Sequence, residues 1–61
     1  MDRQYQLTFY GTYKHSNHTP VHDYSHKEAH ERWPETADEL ELLEVGEKHV
    51  DADGDEWERT A

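Results

Sequence analysis

Five of the six histidines in this 61-residue chain fall between residues 15 and 30: His15, His18, His22, His26 and His30, spaced three, four, four and four apart. Neutral imidazoles are zinc ligands, and a helix presents two of them to one ion when they sit four residues apart. His26 and His30 have that spacing, and His22, just upstream, is the candidate third ligand, with Asp23 or Glu31 as a source of oxygen. The set matches no complete zinc pattern: there is no HExxH, and the chain has no cysteine. A zinc site built on His22, His26 and His30 is therefore kept as an alternative, and the primary reading assigns the chain no cofactor. Histidine is also the side chain that changes charge near neutral pH, at ~6.5 in the absence of perturbation. Protonating all six would take the formal net charge from −9 to −3, so a pH-responsive module belongs to the same alternative.

The second chemical motif is DADGDE, residues 51 to 56. Its alternating carboxylates resemble a calcium loop, but the glycine stands fourth rather than sixth and no glutamate can occupy the twelfth position. The stretch reads instead as a hairpin turn centred on Asp53 and Gly54. Ser16 and Ser25 lie near histidines without a glycine elbow or a readable oxyanion site. With no nucleophile constellation, the chain is read as non-enzymatic.

What remains is charge. Thirteen of the fifteen carboxylates lie between Glu28 and Glu58, against six lysines and arginines in the whole chain. So dense an acidic surface steers a protein onto basic partners and repels nucleic-acid phosphate. The expected function is non-catalytic protein binding, with Glu35, Asp38, Glu39, Glu41 and Glu44 docking on a protein partner that carries a basic surface. A further alternative is an accessory protein of a salt-adapted organism, in which the carboxylates serve only solvation. No stretch approaches the 18 apolar residues of a membrane span and the first residues lack an apolar signal core, so a cytoplasmic, membrane-free protein is expected.

These groups need a scaffold, and its size is the first constraint. A chain this short buries only ~60% of its unfolded surface, and 31% hydrophobic residues leave little to bury. Seven aromatic side chains supply the missing area, so a single marginally stable domain over residues 1–61 is expected. QYQLTFYGTY, residues 4 to 13, alternates with Tyr5, Leu7, Phe9, Gly11 and Tyr13 on one face, which predicts a half-buried strand. KHSNHT supplies turn residues and PVHDY a returning strand, with Pro20 at its start or edge.

SHKE reads as a capping box, Ser25 with Glu28, that starts a helix running to about Trp33. Pro34 is expected to end it. Residues 35 to 45 are open to a second helix, but the preferred reading is a strand within LLEVGEKHV, a turn, and a strand in EWERT, with Val50 and Trp57 as a cross-strand pair. The fold class is α+β, ββαβ or ββαββ, with a core of Leu7, Phe9, Val21, Ala29, Trp33, Leu40, Leu42 or Leu43, Val45 and Trp57.

In layout, the run from the first strand through PVHDYSHKEAHERW resembles the small host RNA polymerase inhibitors of T7-like phages: a returning strand at Pro20 and Val21, a helix opening at Glu28 and Ala29, and Trp33 near its end. The similarity spans residues 5 to 45 at most. It implies a small α+β viral protein acting in the host cytoplasm by binding a host protein, and it carries over no binding residue.

The zinc alternative has a direct check. A native site at His22, His26 and His30 requires about one metal equivalent in the purified protein and a melting temperature that falls with chelator, because structural zinc binding is coupled to folding. The expected outcome is neither, by elemental analysis and by melts with and without EDTA.

Overall fold

The computed structural model describes residues 3–61. Six elements follow in the order β1 (Gln4–Thr8), β2 (Val21–Ser25), α1 (His26–Arg32), α2 (Pro34–Leu40), β3 (Lys48–Val50) and β4 (Glu56–Arg59). The α+β class is as the sequence predicts, with one helix more than its preferred reading. The strands form one antiparallel sheet in the order β2-β1-β4-β3. Because side chains alternate across a strand, the register sorts them into rows. His22, Leu7, Trp57 and His49 form one row across all four strands, with Tyr24, Tyr5 and Arg59 in the next on the same face. The opposite face carries Val21, Thr8, Glu56 and Val50, then Asp23, Gln6, Glu58 and Lys48.

The first face is the core. Tyr5, Leu7 and Trp57 are buried together with Ala29 of α1 and with Ala37 and Leu40 of α2, and Phe9, Tyr24, Trp33 and Leu43 pack around them. Aromatic edges replace aliphatic bulk. Trp33 lies 5.3 Å from both Tyr24 and Trp57, and Tyr5 lies 6.2 Å from Trp57, each nearly perpendicular. This is the favoured edge-to-face geometry, worth about 0.5–1.5 kcal/mol per pair beyond burial.

Each helix boundary has a local cause. The Ser25 side chain accepts from the Glu28 N–H while the Glu28 carboxylate accepts from the Ser25 N–H, both at 3.1 Å, so the predicted capping box starts α1. Pro34 disfavours helical backbone in the residue before it, and Trp33 (φ −138°, ψ 71°) breaks the helix there. Pro34 is then the first residue of α2, where its missing N–H costs nothing. The preferred reading, which left α2 out, is therefore corrected, while the two strands it expected in LLEVGEKHV and EWERT are β3 and β4. Trp33, Ala37 and Leu40, at i, i+4 and i+7, continue the apolar stripe that Ala29 begins.

Three further expectations are revised. The first strand ends at Thr8 rather than Tyr13, because the Tyr10, Tyr13 and Ser16 amides turn back onto the carbonyls of Thr8, Phe9 and Tyr13. Val21 and Val45, read as core, are exposed, and of the alternatives Leu42 and Leu43 it is Leu42 that is exposed. Val21 lies on the open face of the edge strand β2, while Leu42 and Val45 lie in the turn after α2, where Leu43 takes the inward position. Trp57 faces His49 across the β3–β4 pair; Val50 pairs with Glu56 on the other face.

The segment between β1 and β2 is held by one close approach. Gly11 lies against the Asp53 carbonyl and Gly54, and a Cβ at Gly11 would fall inside the Asp53 oxygen. Beside this contact the Asp55 carboxylate accepts from the Thr12 N–H (2.8 Å) and hydroxyl (2.6 Å). Gly11→Ala is therefore expected to destabilise the fold by about 1–3 kcal/mol, the range for overpacking, and to free Thr12. Urea denaturation and amide exchange at residue 12 measure the two effects.

Candidate interaction surface

Three groups of polar side chains stand out, and two of them face inward. The first begins at the buried Tyr5, whose hydroxyl lies 2.8 Å from His26 Nδ1. His26 Nε2 in turn lies 3.4 Å from Glu41 Oε1. Burial pushes the Tyr5 phenol above its ordinary value of 10.0, the charges of Arg3 and Arg59 oppose this, and Glu41 adds to it. In the tautomer that carries its proton on Nε2, towards Glu41, His26 accepts at Nδ1 from the phenol O–H. The chain of contacts ties β1, the start of α1 and the end of α2 together. The Tyr5 side chain itself is fully buried.

The second group is the turn between β3 and β4. Asp51 Oδ1 accepts from the N–H groups of Asp53 and Asp55, and Oδ2 accepts from Trp57 Nε1, all at 3.0 Å. Gly54 takes φ +85° and its N–H donates to the Asp51 carbonyl, which closes the turn expected from DADGDE. Among the described residues, Asp51, Asp53 and Asp55 form the one triple of potential ligands whose atoms lie within 4.8 Å of one another. Asp51 and the buried Asp55 are both occupied by internal donors, so the cluster reads as turn architecture. The sequence motif marks the turn, but no local signal marks Thr12, 43 residues away, as the partner of Asp55.

The histidine set does not converge. His22 lies on the edge strand against Phe9 and Tyr24, His30 is exposed one turn along α1, and both nitrogens of His26 already face Tyr5 and Glu41.

The third group faces outward. Ala37 and Leu40 turn α2 towards the core, which leaves Glu35, Asp38 and Glu39 exposed on its other side. Glu41, Glu44 and Glu47 continue the exposed series through the following turn. All five carboxylates expected to dock a partner therefore belong to one continuous segment, and Glu47 extends it. From Trp33 to Glu47 the sequence contains no lysine, arginine or histidine. Among the described residues, the salt-bridge partners of these carboxylates are two histidines, His26 with Glu41 and His49 with Glu39 at 4.0 Å. Glu35 and Glu39 also form one wall of an open groove, with Thr36 beside them and His49, Val50, Asp51 and Ala52 opposite.

Among the described residues, no helix is long and apolar enough to cross a membrane. Compared with protein-family models, with curated proteins and with solved structures, the chain matches none significantly.

The Tyr5 contact yields a pH test. Its folded-state value lies above the unfolded one, so its contribution to stability is complete below pH 10.0 and is lost as pH rises through the folded value. Urea denaturation at pH 8 to 11 should show unmodified protein losing more stability than Tyr5→Phe across that range. At neutral pH the variant should be weaker by about 0.5–1.5 kcal/mol, the net value of one hydrogen bond.

Proposed function

We propose that this chain is a non-catalytic protein-binding module that docks the acidic surface of α2 and the turn after it on a basic surface of a protein partner. The observation that carries the reading is the run Glu35, Asp38, Glu39, Glu41, Glu44 and Glu47, exposed along one segment that holds no cation of its own. Such a run is unfavourable in the isolated molecule. Glu35 with Glu39 at i, i+4 and Glu35 with Asp38 at i, i+3 are like-charge neighbours, each costing about 0.2–0.5 kcal/mol on a helix. Glu39 and Glu41 also stand at the negative end of α2, whose last turn has no basic residue. A surface rich in lysine and arginine would relieve all of these repulsions at once, and the same field would steer the encounter.

The inward assignment of the other polar groups supports the non-catalytic part of the reading. Tyr5, His26, Asp51 and Asp55 are engaged in holding elements together. A role as a small phage regulator of a host protein is compatible with this mode of action and rests on sequence layout alone.

The test is kinetic. With a partner captured from a host lysate, the association rate should fall steeply between low and physiological salt, where screening already acts beyond ~8 Å. Changing Glu35, Asp38 and Glu39 together to lysine should slow association sharply while leaving the circular dichroism spectrum intact, because exposed substitutions usually shift stability by no more than ~0.5 kcal/mol each. Rates indifferent to both salt and charge reversal would remove acidic docking as the mechanism.

A further inference from the structure

The turn from Glu41 to Glu47 combines two features that solvation alone does not call for: a fully organised backbone and large apolar side chains held in water. Leu42 and Val45 are 82% and 62% exposed, the two highest values among the large hydrophobic residues of the described chain. Neither is left out by local disorder. The N–H groups of Glu41, Leu42 and Leu43 donate to the carbonyls of Ala37, Glu39 and Leu40. The Glu44 N–H donates to the Glu47 carboxylate at 2.8 Å, and the Glu47 N–H returns to the Glu44 carbonyl at 2.9 Å. Gly46, at φ +89°, donates to the Arg59 carbonyl, and the Arg59 guanidinium donates to the Leu43 carbonyl at 2.8 Å. Leu43 packs against the core and so fixes which of its neighbours must point away.

We propose that Leu42 and Val45 are the apolar anchors of a docking site whose occupant is a protein surface with an apolar pocket rimmed by lysine and arginine. The proposal rests on the acidic-docking reading and locates its centre. Charge complementarity selects the occupant: Glu41, Glu44 and Glu47 flank the two anchors and are themselves exposed, and the segment has no cationic residue of its own, although Arg59 reaches the Leu43 carbonyl. A second copy of the chain would bring the same carboxylates together, and an anionic membrane surface would repel them. An apolar centre inside a polar rim is the general layout of a protein interface, and a turn whose backbone is already organised loses little entropy on association.

The test uses the full chain and two defined probes at equal charge: an amphipathic helical peptide of leucine and lysine, and its companion with every leucine replaced by serine. Binding is followed by backbone amide chemical shifts and by fluorescence titration. The expected result is that the leucine–lysine peptide binds more tightly and shifts residues 41 to 47. Leu42→Ser with Val45→Ser should weaken it by about tenfold or more, to the level of the serine–lysine peptide, while Val50→Ser on the open sheet face leaves it unchanged. Comparing the two peptides on the unmodified chain needs no variant, so a loss of folding in the double variant would not obscure the answer.

Equal binding of the two peptides, unaffected by the double variant, would overturn the anchors and leave acidic docking standing. Failure of both peptides at low salt would overturn both. Self-association abolished by the double variant, seen by sedimentation, would assign the anchors to a second copy and overturn the proposed occupant.

Discussion

The indole of Trp57 is the constraint on which the rest of this small protein depends. With 31% hydrophobic residues, the chain can close a core only by burying its largest ring completely, and a buried indole N–H must find an acceptor. Asp51 provides it at 3.0 Å, and the same carboxylate accepts two backbone N–H groups of the turn. The acceptor is thus fixed by the turn, and the turn by the acceptor. Around the ring stand Tyr5 from β1, Tyr24 from β2 and Trp33 from the junction of the helices, so one side chain joins most of the fold. Asp55, at the end of the same turn, extends the network to Thr12 and thereby holds the segment between β1 and β2.

That arrangement divides the carboxylates by role. Asp51, Asp55, Glu28 and Glu47 accept from backbone or side-chain donors within the molecule, and each satisfies a turn or a helix start. The carboxylates of α2 have no such partners among backbone donors of the described residues and point away from Ala37 and Leu40. The fold therefore consumes some of its negative charge as structure and collects another part on one segment. The like-charge strain of that segment is tolerated because α2 is fixed from beneath by the core and at its end by His26 through Glu41. If acidic docking is the mode of action, function draws on charge that folding does not need at Glu35, Asp38, Glu39 and Glu44, while Glu47, which caps the Glu44 N–H, and Glu41, which faces His26, serve both.

Period and local chemistry were enough to place β1, the start of α1 and the turn at Gly54. Each depends on neighbours in sequence: the alternation of Tyr5 and Leu7, the reach of Ser25 to Glu28, and the left-handed conformation that glycine supplies. The stripe Trp33, Ala37 and Leu40 also carried α2, but Pro34 reads as a stop unless it is recognised as the first residue of a new helix. The five carboxylates proposed to dock were legible as a charge run, because no cation interrupts them from residue 33 to 47.

Sequence by itself thus determined the α+β class, the capping box, the hairpin turn and the concentration of negative charge, all of which are set by residues within a few positions of one another. Tertiary structure alone decided that the histidines diverge, since His26 is drawn to Tyr5, 21 residues away, and His22 remains on an edge strand. It also decided that Asp55 is buried beneath Thr12 and that Leu43 faces inward while Leu42 and Val45 face water. The physical reason is the same in each case. Periodicity ranks which side chains prefer burial, but a core this small has room for only some of them. Which apolar residues are left outside is settled by the register of β1 with its neighbours and by the contact in which Arg59 reaches the Leu43 carbonyl.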